Sequence, residues 1–187
     1  MAKINWKPGT MIYPLPAIMV TVGSTPETQN IITVAWTGTL CTDPPMCYIS
    51  VRKNRHSHAI LMQEKEFVIN LTTEVLAYQT DWCGVRSGDK FNKFKEMNLT
   101  PGKASIVKAP TIEESPLSIE CQVIEVKELG THDMFIANVV NVIADEKYMN
   151  EKGEFRLQDS KLLAYSHGHY YKMGEQIGRF GFSVKKK

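Results

Sequence analysis

The sequence predicts a mainly β protein, closed as a barrel or sandwich, in a single domain spanning residues 1–187. Three observations carry this expectation. Apolar, β-branched runs recur at short intervals, at 17–22, 31–36, 47–51 and 67–71. Two longer segments, 117–129 and 134–144, alternate apolar and polar residues and are joined by a short turn, GTHD. Helical patterns occur only as short insertions. Long antiparallel hairpins leave edges, which closure or dimerisation covers.

Composition agrees. The 187 residues are 43% hydrophobic and 22% charged, ordinary for one domain with its own core. A net charge of +2 builds no broad field for a polyanion, so nucleic acid is not an expected partner. The one like-charge run, Lys185, Lys186 and Lys187, reads as a solvated tail. Four cysteines, at 41, 47, 83 and 121, form no C-x-x-C pair. With no signal peptide, they are expected as free thiols in the cytoplasm. No stretch is apolar and long enough to span a bilayer, so no membrane partner is expected.

In chain order, residues 8–16 are proline-rich and should run extended into the first strand. Residues 17–22 and 31–36 form a hairpin across the polar STPETQN connection. Residues 39–45 (TLCTDPP) read as a loop, and 46–52 as a strand with Cys47, Ile49 and Val51 on one face. A helix is expected near 57–64, capped by Asn54 or Ser57, with Ala59, Ile60 and Leu61 inward. Residues 67–71 are a strand, 73–82 a short helix capped by Thr72 or Thr73, 83–89 a loop and 90–97 a helical turn. Residues 98–116 look irregular. A last strand falls at 162–165, and the glycine-punctuated end is coil.

The chemistry concentrates where the strand at 46–52 runs out into Arg52, Lys53, Arg55, His56, Ser57 and His58. A helix N-terminus offers free N–H groups and partial positive charge, and cations beside it suit a phosphate monoester. The segment is a candidate holder for the phosphate of a nucleotide cofactor; a solvated basic loop has the same spacing. In GVRSGDKF, two glycines flank Arg86 and Ser87 and allow close backbone approach, or only a turn capped by Asp89. Thr33, Thr37 and nearby amides could line a flat ring, or belong to a core strand with Trp36 buried. Thr131, His132 and Asp133 could orient an imidazole at a hairpin tip, or form a plain turn. His167 and His169, among Tyr165, Tyr170 and Tyr171, would share a face if their segment were a strand. No ligand spacing supports a metal site. No Ser-His-Asp spacing, Walker loop or G-x-G-x-x-G is present, so a nicotinamide would not be held in the Rossmann manner.

The order of PLPAIMVTV, NIITVAW, LCTDPP, ISVRKNRHSHAI, FVINL, GVRSGDKF, GTHDMFIANVVNV and IGRFG resembles the flavin reductase-like family of FMN-binding split barrels, especially its flavoredoxin-like branch. The resemblance covers roughly residues 10 to 182. It implies a six-stranded antiparallel split β-barrel with short helical insertions, a homodimer, and FMN near the subunit interface. It places Thr33, Ala35, Trp36 and Thr37 beside the isoalloxazine. Ser50, Arg52, Arg55, His56 and Ser57 fall in the phosphate segment, and Gly84, Ser87, Gly88, Asp89 and Lys90 in the loop near the ring. His132 stands near the active site, and Lys90 is a cation able to steady negative charge on the ring. Both are the catalytic candidates. A glycine-glutamate pair usual in that hairpin is replaced here by Ala137, Asn138 and Val139. The implied activity is electron transfer through FMN from a nicotinamide, NADH or NADPH, or a protein donor to a small-molecule or protein acceptor. A non-enzymatic carrier of the flavoredoxin type is the alternative.

Overall fold

The computed structural model describes residues 1–184; the lysine run 185–187 lies outside the described residues. The first half of the chain carries β1 (Leu15–Pro16), β2 (Ile18–Val22), β3 (Asn30–Val34), β4 (Thr37–Cys41), β5 (Met46–Arg52), α1 (His56–Glu64) and β6 (Glu66–Leu71). Then come α2 (Ala77–Val85), α3 (Lys93–Glu96), β7 (Pro101–Gly102) and β8 (Thr111–Ile112). The long strands β9 (Leu117–Leu129) and β10 (His132–Ala144) follow, then the hairpin β11 (Leu163–Ser166) and β12 (His169–Lys172).

One antiparallel sheet dominates, in the order β3-β2-β6-β9-β10-β5-β4. Its two outer members, β3 and β4, are separated only by Ala35 and Trp36. The ends of the sheet are therefore two halves of one bent strand, and the barrel closes through the covalent chain. Counted by hydrogen-bonded segments the sheet has seven strands; with β3 and β4 taken as one, it has the six expected. At the bend the Thr37 N–H donates to the Ala35 carbonyl (3.0 Å) and the Ser50 N–H to the Trp36 carbonyl (2.8 Å).

The bend corrects one reading of the sequence. Residues 31–36 are not a continuous strand, and within 39–45 the first three residues are strand rather than loop. The polar, glycine-containing TGTLC lacks an apolar face, yet it pairs with β5, Thr37 opposite Ile49. The second helix also differs: it starts after a 3-10 turn at Glu74–Leu76 and runs through Gly84 to Val85. Its inner residues Thr80 and Cys83 are buried against the sheet, which keeps the helix going past Trp82. Neither Asn54 nor Ser57 caps α1; the capping position is Arg55, without a side-chain bond. Within α1 Ser57 and Leu61 are buried, four apart on one face, whereas Ala59 is exposed.

Burial explains the strand patterns. Ile18, Val20, Val22, Ile49, Val51, Phe67, Ile69, Cys121 and Phe135 fill the barrel, with Leu61 of α1 among them. Strand β2 is buried along its whole length because its other face, with Ile31 of β3, packs on Leu76, Cys83, Phe94 and Leu99. That double burial accounts for its unbroken apolar run.

A buried carboxylate ties the irregular 98–116 segment to this frame. Glu120 of β9 is fully buried and accepts the backbone N–H groups of Ser105 (2.9 Å), Ile106 (2.6 Å) and Val107 (2.9 Å). The Asn141 amide donates to it as well (2.7 Å). Burial works to raise its pKa, but these donors together hold it below the ordinary 4.5. The stability it contributes is thus present above pH 4.5 and is lost as pH falls through the lowered native value. Glu120→Gln should cost about 2–3 kcal/mol at neutral pH in urea denaturation, and flatten the acid limb of the stability curve.

Candidate functional site

The barrel is split where β3 and β5 diverge. Strand β3 pairs only with β2, while the end of β5, Ser50 to Arg52, pairs only with β10. Between these edges opens a cavity of about 450 Å³. Its wall is apolar at Ala17, Ile32, Val34 and Val51, and cationic at Arg52 and Arg55. A smaller cleft shares Ile32 and Arg55 with it and runs to the N-terminus of α1.

The structure brings together most residues singled out from the sequence. Thr33, Ala35, Trp36, Ser50, Arg52, Arg55, Gly84 and His132 line the large cavity. His56, Ser57, Ser87 and Gly88 line the cleft. Three lie elsewhere. Thr37 is buried, with its hydroxyl donating to the Tyr48 carbonyl (2.7 Å). Asp89 and Lys90 are exposed and line neither space: the loop after α2 turns Ser87 and Gly88 inward, and the next two residues face solvent.

Local chemistry fixes the rest. Gly84 lies against β3; a Cβ there would stand 3.1 Å from the Thr33 Cβ. At Gly88 a Cβ would collide with the Asn30 side chain. The Asn30 amide donates to the Ser57 hydroxyl (2.7 Å), so the Ser57 proton is free to point elsewhere. His132 stacks on Trp36, ring centres 6.4 Å apart and planes 15° from parallel. Burial and nearby Arg52 push its pKa below the ordinary value, against the pull of Asp133. Trp36 itself is 38% exposed rather than buried in the core.

Asp133 does not serve His132, as the sequence suggested. Facing residues alternate along a strand, and Asp133 turns to the other side of β10. There it meets His58 Nε2 at 2.8 Å and Lys53 Nζ at 3.3 Å. His132 Nδ1 instead lies 2.9 Å from the Thr131 hydroxyl. Burial raises the Asp133 pKa, but the bonds from His58 and Lys53 outweigh it and hold the carboxyl below its usual range.

Sequence reasoning missed Asp81 and Lys93, and named Arg86 only as a residue of the candidate loop, which the structure places in the cleft. Asp81 lines the large cavity beside Tyr165 and Tyr170, two rings 5.6 Å apart. Burial first, then Asp81, pushes the Tyr170 hydroxyl up to about 12. The tyrosines belonged to an aromatic cluster visible in the sequence. The histidines of that cluster do not share a strand face, because His167 sits in the β11–β12 turn at φ 49°. Lys93 is almost fully buried on α3, and burial lowers its pKa to about 8. Among the described residues no group of three His, Cys, Asp or Glu side chains is arranged to hold a metal. Among the described residues no helix is long and apolar enough to cross a membrane.

The family model described as "Flavin reductase like domain" matches residues 10–174. The chain belongs to this flavin reductase-like family. Its backbone is similar to flavoredoxin of Desulfovibrio vulgaris (Miyazaki F), at 27% identity and a TM-score of 0.89, over 99% of this chain and 100% of that one. An FMN-binding protein from Thermus thermophilus, bound to 1-cyclohex-2-enone, is 24% identical with a TM-score of 0.78, over 96% of this chain and 99% of that one. The reductase component of a 4-nitrophenol monooxygenase of Rhodococcus opacus is 27% identical over 112 residues, 60% of this chain and 57% of that protein. As a flavin reductase-like protein, the chain is a flavin-binding redox protein with the split-barrel fold.

His58→Ala should leave the buried Asp133 without its imidazole partner and cost about 2–3 kcal/mol. Urea denaturation would measure the loss. Amide exchange should quicken at the start of α1, which this pair pins to β10.

Proposed function

We propose that the flavin is FMN, its isoalloxazine in the large cavity and its phosphate in the cleft, and that the chain is an oxidoreductase drawing electrons from NADH, NADPH or a protein donor. One observation carries the reading: a mostly apolar slot is joined through Arg55 to a cationic cleft at an uncapped helix N-terminus. Helix α1 has no acidic residue in its first turn and no side-chain cap; the Arg55 and His58 N–H groups are taken by backbone carbonyls, and those of His56 and Ser57 are available to an anion. The Ser57 proton and the Arg55 and Arg86 guanidiniums add donors of the kind a phosphate monoester takes.

When bound, FMN supplies hydride and single-electron transfer. The chain's own part is to orient and to exclude. The unpaired edge of β3 offers backbone groups to a ring's polar rim. Arg52 and Arg55, rather than the solvent-facing Lys90, are the cations against the slot, and they favour negative charge developing there. Neutral His132 on Trp36 gives the mouth a flat floor. Tyr165 and Tyr170 also line the slot and would limit water there. A second copy of the chain would cover the apolar face that the 3-10 turn and α2 expose at Val75, Tyr78 and Val85, giving a homodimer.

The carrier reading is favoured by the near-complete overlap with flavoredoxin. Anaerobic mixing of the purified, FMN-loaded protein with NADH or NADPH separates the two. Rapid bleaching supports the reductase; slow bleaching with fast reduction by a protein donor supports the carrier. Failure to take up FMN removes both. Arg55→Ala should weaken FMN binding by about 1.5–3 kcal/mol in a fluorescence titration; an unchanged dissociation constant removes Arg55 from the site.

A further inference from the structure

We infer that Lys93 makes this site selective for a flavin ending in a phosphate monoester, over riboflavin and over FAD. The inference rests on the FMN reading and adds to it the residue that sets the choice of flavin. Lys93 is only 3% exposed. Its Nζ donates to the Ile31 carbonyl (2.6 Å) and the Cys83 carbonyl (2.7 Å), and no carboxylate is among its hydrogen-bond partners. An ammonium carries three N–H bonds, so one remains. Lys93 lines the cleft at the N-terminus of α1, which gives that third donor a place to act.

Burying an ammonium without an anion is costly, and two carbonyl dipoles offset only part of the cost. A bound anion in the cleft completes the compensation. Charge matching then sets the ligand. Arg55, Arg86 and Lys93 line the cleft and no acid does. A phosphate monoester carries close to two negative charges at neutral pH. Each phosphate within FAD's diphosphate is a diester-like group with one, and riboflavin has none. The difference between a dianion and a monoanion is felt most strongly by a donor removed from water, and Lys93 is the most buried cation of the three.

Titrations of the whole protein with FMN, riboflavin and FAD, followed by flavin fluorescence, test this. The wild type should bind FMN at least about tenfold more tightly than either of the others. Lys93→Met should lower FMN affinity by about 10- to 100-fold and leave riboflavin affinity within about twofold, collapsing the ratio. A merely structural lysine would weaken both flavins together, and that result, or an unchanged FMN affinity, overturns the inference. Lys93→Gln in the same titrations serves if the methionine variant does not fold. Wild-type affinities for the three flavins within about twofold of one another overturn it without any variant. A wild type that binds no flavin at all instead removes the FMN reading.

Discussion

The fold depends on a gap in its own hydrogen bonding. Backbone N–H and C=O groups are obligatory partners, and leaving one unsatisfied and dry costs on the order of 1–3 kcal/mol. Between β3 and the end of β5 the ladder is absent, and the chain manages this with two devices. The strand bends at Ala35 and Trp36, so the ring is closed by covalent bonds where it is not closed by strand pairing. Helices α2 and α3 then lie along the free edge of β3, and Lys93 takes one of its carbonyls. What remains open between the edges is the cavity.

A second set of contacts keeps the cationic end of that opening in place. Helix α1 is fixed from inside by Leu61, from the side by His58 on Asp133, and at its start by Asn30 on Ser57. Each joins segments far apart in the chain: 75 residues separate His58 from Asp133, and 27 separate Asn30 from Ser57. These polar pairs hold in place a helix start whose His56 and Ser57 N–H groups have no partner among the described residues, at residues that line the cleft. Stability and ligand chemistry are thus coupled at one helix end.

How far the sequence discloses this follows from the range of each interaction. Strands β9 and β10 are legible because alternation over thirteen residues is a local signal, and the intervening turn carries Gly130 at φ 53°. The basic run after β5 is legible because a helix start, hydroxyls and guanidiniums sit together in the chain. The bend in β3 is not, since nothing in Ala35 or Trp36 forbids a strand; barrel closure imposes it. Lys90 and Lys93 show the limit most clearly. They stand three residues apart with the same side chain, and only the packing of α3 on β3 buries one and leaves the other in solvent. In the same way, His132 and Asp133 are neighbours in sequence but point to opposite faces, and the partner of Asp133 comes from another element.

The aromatic wall at Tyr165 and Tyr170 has a consequence for how the molecule comes into being. It belongs to the β11–β12 hairpin, which is held by β1 from the opposite end of the chain. Every barrel strand precedes Tyr165 in the chain and leaves the ribosome ahead of it, so a nascent barrel carries its cationic cleft while one flank of the slot is still missing. Cofactor capture in its final, sheltered form therefore waits on the docking of the last hairpin against the first strand.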